Sequence, residues 1–157
     1  MFMKVQLEER EPLSHDVNEL ANTLLARFGL LPRKKDSEAA MFKVLLELTE
    51  KKKQAVRDKR HELAVTTVEE MGLHAGISRQ TMYEYLVRWK DLHILKKSSF
   101  VQGGKVVIGY ELNGTTLESA FRKAQTRIMN HLDESFRILD RLQQELKREK
   151  LRKGEEQ

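Results

Sequence analysis

The chain contains no cysteine, which excludes disulfides, thiol catalysis and cysteine–zinc centres. Proline is nearly absent as well, with two in 157 residues. Together with 39% hydrophobic and 34% charged residues, that scarcity suits a helix-rich folded chain rather than a disordered one. No apolar run approaches the ~18 residues that a bilayer-crossing helix needs. No signal-peptide pattern opens the sequence either. The expectation is a cytoplasmic protein without a membrane partner. Catalytic signatures are also missing. The five histidines (15, 61, 74, 93 and 131) are scattered, and there is no HExxH, phosphate-binding glycine loop or nucleophile–base pair. His131 lies near Asp133 and Glu134, but one histidine without cysteine makes a poor metal set. No enzyme activity, cofactor or metal is expected.

Charge is present in excess, and it is concentrated. The formal net charge is +5. Residues 51–61, KKKQAVRDKRH, alone carry a net +5, while 1–50 sum to −2, 62–115 to zero and 116–157 to +2. Such a run points to a polyanionic partner or, more simply, to a solvated basic surface.

Hydrophobic periodicity organises the rest. From Asp16 to Phe28 the apolar residues Val17, Leu20, Ala21, Leu24, Leu25 and Phe28 recur at helical spacing, and Gly29 marks a stop. A linker, LLPRKKDS, follows, with Asp36 or Ser37 able to cap a second helix. That helix runs from about Glu38 into the basic stretch and buries Met41, Val44, Leu45 and Leu48. The segment LAVT (63–66) is a possible short strand. After Leu95 the period changes to β-prone residues around Gly103-Gly104, a two-residue hairpin turn that pairs Val101 with Val106. The last third is one long helix, with Thr115 and Glu118 as a capping box.

The most informative stretch is TTVEEMGLHAGISRQTMYEYL, residues 66–86. One helix would suffer from two interior glycines, each costing about 1 kcal/mol relative to alanine. Two short helices at a sharp angle explain both. Gly72 allows close approach, Gly76 supplies positive φ at the turn, and Ser78 caps the second helix. Val68, Met71, Ala75, Ile77, Met82, Tyr85 and Leu86 form the buried side. His74 is expected to be exposed or capping. Tyr85 and Trp89 are expected in the core, wedged between the second helix and the hairpin.

These residues closely resemble a helix-turn-helix signature. With the helix before and the hairpin after, residues 37–114 resemble a winged helix-turn-helix domain. The layout is similar to prokaryotic transcription regulators, broadly of the MarR, PadR and ArsR kind. Glycine at 72 departs from the commoner alanine, and the basic run at 51–61 is longer than usual there. The fold class expected is mainly α with a small β-hairpin. Residues 1–36 form an N-terminal arm and amphipathic helix, and 115–157 a long dimerisation helix and charged tail.

The resemblance implies double-stranded DNA binding by a homodimeric, nucleoid-associated regulator, acting as a repressor, with the second helix in the major groove. The residues it implicates are Ser78, Arg79, Gln80, Thr81, Tyr83, Glu84 and Arg88. Arg79 suits a guanine edge and Gln80 an adenine, whereas Thr81 and Tyr83 suit phosphates. Glu84 fits only if it accepts from cytosine or pairs with Arg88. The wing adds Lys96, Lys97, Gln102 and Lys105 as positioning contacts, and Lys51, Lys52 and Lys53 add backbone attraction.

The long helix carries Ile128, Leu132, Phe136, Leu139, Leu142 and Leu146 along roughly 50 Å, more than a domain of this size covers. A coiled-coil dimer, helped by Val17–Phe28, is the economical reading. A small-molecule effector site between the N-terminal and long helices is conceivable, but no ligand is indicated. The rival reading is a winged-helix module that docks on proteins of replication or segregation.

Overall fold

The computed structural model describes residues 8–155. The first seven residues of the expected N-terminal arm and the last two of the tail lie outside that range. The fold is mainly helical, with one two-stranded hairpin and a long final helix.

Helix α1 (Val17–Arg27) begins at Asp16, whose carboxylate accepts the Glu19 amide at 3.1 Å. It stops where Gly29 adopts φ +68° and Leu30 N–H reaches back to the Leu25 carbonyl at 2.8 Å, a glycine-dependent helix end. The linker winds into one 3-10 turn, Lys34–Asp36. Helix α2 (Met41–Asp58) starts later than the linker chemistry suggests. Its N-cap is Ala40, with no side-chain bond, and neither Asp36 nor Ser37 caps it. Asp36 instead accepts the Tyr85 hydroxyl. The basic run is thus largely helix, and the helical repeat that buries Leu48 also turns Lys52 and Ala55 inward.

Thr67 caps α3 (Val68–Ala75), and Gly76 ends it at φ +76°. Ser78 caps α4 (Arg79–Asp91) by accepting the Thr81 amide at 3.2 Å. The close approach expected at Gly72 is there. A Cβ on it would stand 2.8 Å from the Ile77 carbonyl oxygen, so the turn just before α4 presses on α3.

Strands β1 (Leu95–Gln102) and β2 (Lys105–Leu112) pair antiparallel in the expected register, Val101 against Val106. Gly103 and Gly104 both take positive φ, as a tight hairpin turn requires. LAVT forms no full strand. A 3-10 turn (His61–Ala64) leads to Thr66, which exchanges two backbone bonds of 2.9 Å with Tyr110. Gly109 sits so close to the Thr66 carbonyl that a Cβ would collide with it.

Helix α5 (Leu117–Glu155) has its capping box one residue later than expected. Thr116 and Ser119 bond reciprocally, each hydroxyl accepting the other's amide at 3.1 Å. Glu118 pairs instead with Arg122 at 3.2 Å. Two compact units result, one up to Ala124 and one from Gln125. The first is built on Leu25, Leu45, Met71, Met82, Trp89 and Leu112, all fully buried. It includes the start of α5, where Ala120 and Ala124 are buried and the Phe121 ring meets Phe28 edge-on at 4.9 Å. That contact lies where an effector pocket was conceivable. The second unit is the remainder of α5. Ile128 is half-buried, while Leu132, Phe136, Leu139, Leu142 and Leu146 are 39–66% exposed. No helix among the described residues is long and apolar enough to cross a membrane.

Candidate nucleic-acid interface

The amphipathic repeat of α4 divides its residues. Met82, Tyr85, Leu86 and Trp89 face the core, while Arg79, Gln80, Tyr83, Glu84 and Val87 are exposed together. The four expected residues Arg79, Gln80, Tyr83 and Glu84 therefore share one surface. Ser78 and Thr81 stand at its start, but their hydroxyls are occupied with each other at 3.0 Å and with the cap.

Arg88 does not join that surface. It is half-buried, and its guanidinium donates to the Gly29 carbonyl, locking α4 to the end of α1. Nor does it pair with Glu84. That carboxylate is taken by Arg33 at 2.6 Å, because the linker crosses α4 there. Arg33 is also fixed by Tyr85. Its amide donates to the Tyr85 hydroxyl at 3.0 Å, its Nε donates to the same oxygen at 3.3 Å, and its guanidinium lies 5.3 Å from the Tyr85 ring centre. The Tyr85 hydroxyl and the Glu84 carboxylate raise the already high pKa of this guanidinium. Tyr85 is core, as expected, but its polar end holds the linker rather than the hairpin.

Arg79 is not free in the unbound protein. Its Nε donates to Glu69 at 2.6 Å, both side chains being mostly exposed. The Glu69 carboxyl is held below the usual range, first by its own backbone amide and then by Arg79.

The hairpin divides its expected residues between two faces, because side chains alternate along a strand. Lys97 shares a face with Val101, Val106, Ile108 and Tyr110. Burial, and then the nearby Tyr83, push the Tyr110 hydroxyl pKa up. Lys96, Gln102 and Lys105 belong to the other face, where Lys96 comes within 3.6 Å of Glu111. Gln102 and Lys105 are paired at the exposed tip.

The basic run contributes less than its composition implies. Lys52 is buried and meets Glu111 at 2.5 Å, so it is a structural residue and no candidate for DNA. Lys51 pairs with Glu70 at 3.0 Å, whereas Lys53 is 74% exposed and 3.8 Å from Glu50. Glu111 itself is 1% exposed. His61 Nε2 lies 3.2 Å from its second oxygen and 3.1 Å from Ser98 Oγ. Burial pushes the Glu111 carboxyl up, but hydrogen bonds from Lys52 and Ser98 and the nearby charges outweigh it and hold the pKa below the usual carboxylate range.

The sequence reading missed Arg33, Glu69 and Glu111. For Arg33 a signal existed: Arg33, Lys34 and Lys35 are consecutive, but the acidic residues around them cancel them in a regional sum. Glu69 and Glu111 carried no local signal. Comparison with protein-family models, curated proteins and solved structures found no match.

Proposed function

We propose that this protein binds double-stranded DNA as a homodimeric transcription regulator, repression being the expected mode, with α4 in the major groove. The observation that carries the reading is the exposed face of α4. Arg79, Gln80 and Tyr83 stand together on a helix capped by Ser78 behind a tight glycine turn. The order α2, α3, α4 and hairpin, with Thr66 bridged to Tyr110, supports a winged-helix reading of residues 37–114. In it the hairpin tip lies on flanking backbone or in the minor groove. The exposed stripe from Leu132 to Leu146 supports self-association through α5.

The test is binding of the purified protein to fragments of its own genome at several salt concentrations. Enrichment of particular sites, with affinity falling steeply as salt rises, is the expected result. Salt-insensitive or absent DNA binding would overturn it. A second reading, docking of the same face on a protein, is favoured by one observation. Val101, Val106 and Ile108 expose apolar side chains on one face of the hairpin, and Tyr83 and Val87 are exposed on α4. That reading gains if DNA is not bound.

A further inference from the structure

The linker between α1 and α2 is fastened along one flank of the exposed α4 face. Arg33 binds Glu84 and Tyr85, Asp36 binds Tyr85, and Arg88 binds Gly29. The hairpin also packs against α4, through β1. Residues 79, 80, 83 and 87 stay exposed on α4 next to the linker border.

The linker border carries three consecutive cations, Arg33, Lys34 and Lys35. Of its two acids, Asp36 is engaged by the Tyr85 hydroxyl and lies 3.5 Å from Arg33, while Glu38 is exposed at the approach to α2. Arg33 is committed to Glu84. Lys34 and Lys35 are both exposed, and among the described residues neither has an acidic partner. Their backbone is already ordered, in a 3-10 turn anchored at Arg33 by the Tyr85 hydroxyl. A cation on an ordered backbone binds an anion without the entropy cost of ordering a free tail. The ligand that fits this arrangement is the sugar–phosphate backbone beside a groove filled by α4, since regularly spaced phosphates reward paired lysines.

We infer that Lys34 and Lys35 form a second phosphate-binding element, a clamp on the linker side of α4. Arg33 positions it and neutralises Glu84, so that this carboxylate does not repel DNA. The inference rests on the DNA-binding reading above.

The test uses the full-length chain and a mixed-sequence DNA duplex, with affinity measured as a function of salt. Lys34→Gln/Lys35→Gln leaves the Arg33, Asp36 and Tyr85 contacts in place, and an unchanged thermal melt will verify that the fold is kept. The salt slope is expected to fall by about 0.9 for each contact removed. A charge-matched change on α5, Lys147→Gln/Lys153→Gln, should leave the slope near that of the parent. A steep parental slope that the linker change does not alter, or that the α5 change lowers equally, overturns the clamp and leaves the DNA reading standing. A parent that shows no salt-dependent binding at all overturns both.

Discussion

Lys52 of α2 and Glu111 of β2 meet at 2.5 Å, both buried, although 59 residues separate them in the sequence. The pair ties the hairpin to the helix behind it. Removing one partner of such a pair leaves a buried charge uncompensated and costs about 3–5 kcal/mol. Lys96 and His61 remain near Glu111, so the lower end of that range is expected for Lys52→Met. Replacing both, Lys52→Met/Glu111→Leu, should recover most of the loss. Urea denaturation followed by circular dichroism measures each. A Lys52→Met protein as stable as the parent would show that the pair does not anchor the hairpin.

The same carboxylate sets an acid response. Its folded pKa lies below the ordinary value of 4.5. The stabilisation is therefore complete above that value and is lost as pH falls through the lower, folded one. Glu111→Gln should flatten the dependence of the unfolding midpoint on pH in the acid range and leave its slope near neutrality alone. Parallel melts of the two proteins across that range decide the matter.

Arg79 must leave Glu69 before it can reach a base. Glu69→Gln should therefore tighten DNA binding. Arg79→Ala should cost about 1–3 kcal/mol at a specific site and much less on unrelated DNA. Equal losses on the two DNAs would make Arg79 a phosphate contact. No gain from Glu69→Gln would mean that the ion pair, exposed as it is, opposes binding too weakly to measure.

Self-association is testable without disturbing the first compact unit. Leu139→Lys/Leu142→Lys places charge in the exposed α5 stripe, and a chain ending after Gln125 removes the stripe while keeping Ala120, Phe121 and Ala124. Light scattering should find a dimer for the parent and monomers for both variants, with most DNA affinity lost because two linked half-sites act at high effective concentration. Symmetric subunits should select a near-palindrome with half-sites ~34 Å apart, or a multiple of that. A monomeric parent at micromolar concentration defeats the prediction. The cut falls after Gln125 because an earlier one, at Gly114, would strip the buried start of α5 from the core.

Features set by local chemistry were legible in the sequence. Gly72, Gly76 and Ser78 could be placed because close approach, positive φ and an N-cap each demand a narrow choice of residue at fixed spacing. Gly103-Gly104 fixed the hairpin register in the same way. The capping box slipped by one because Thr115 and Thr116 are adjacent, and each has a capable partner three residues on. What depended on distant partners was not legible. Composition counts Lys52 as a cation but carries nothing of its direction, which the α2 repeat and a glutamate in β2 decide. The engagement of Arg88 was hidden for the same reason, its partner being a backbone carbonyl that only the folded linker supplies.

The missing side chain at Gly72 makes α3, the turn and α4 behave as one frame, since the Ile77 carbonyl fills the space a Cβ would need. Of the exposed positions Arg79, Gln80, Tyr83 and Val87, only Arg79 reaches across that frame, through a mostly exposed ion pair with Glu69. Their chemistry can be rewritten at little folding cost, while the angle at which they are presented stays fixed. A library varied at these four positions alone would therefore present different surface chemistry on a single unchanged scaffold.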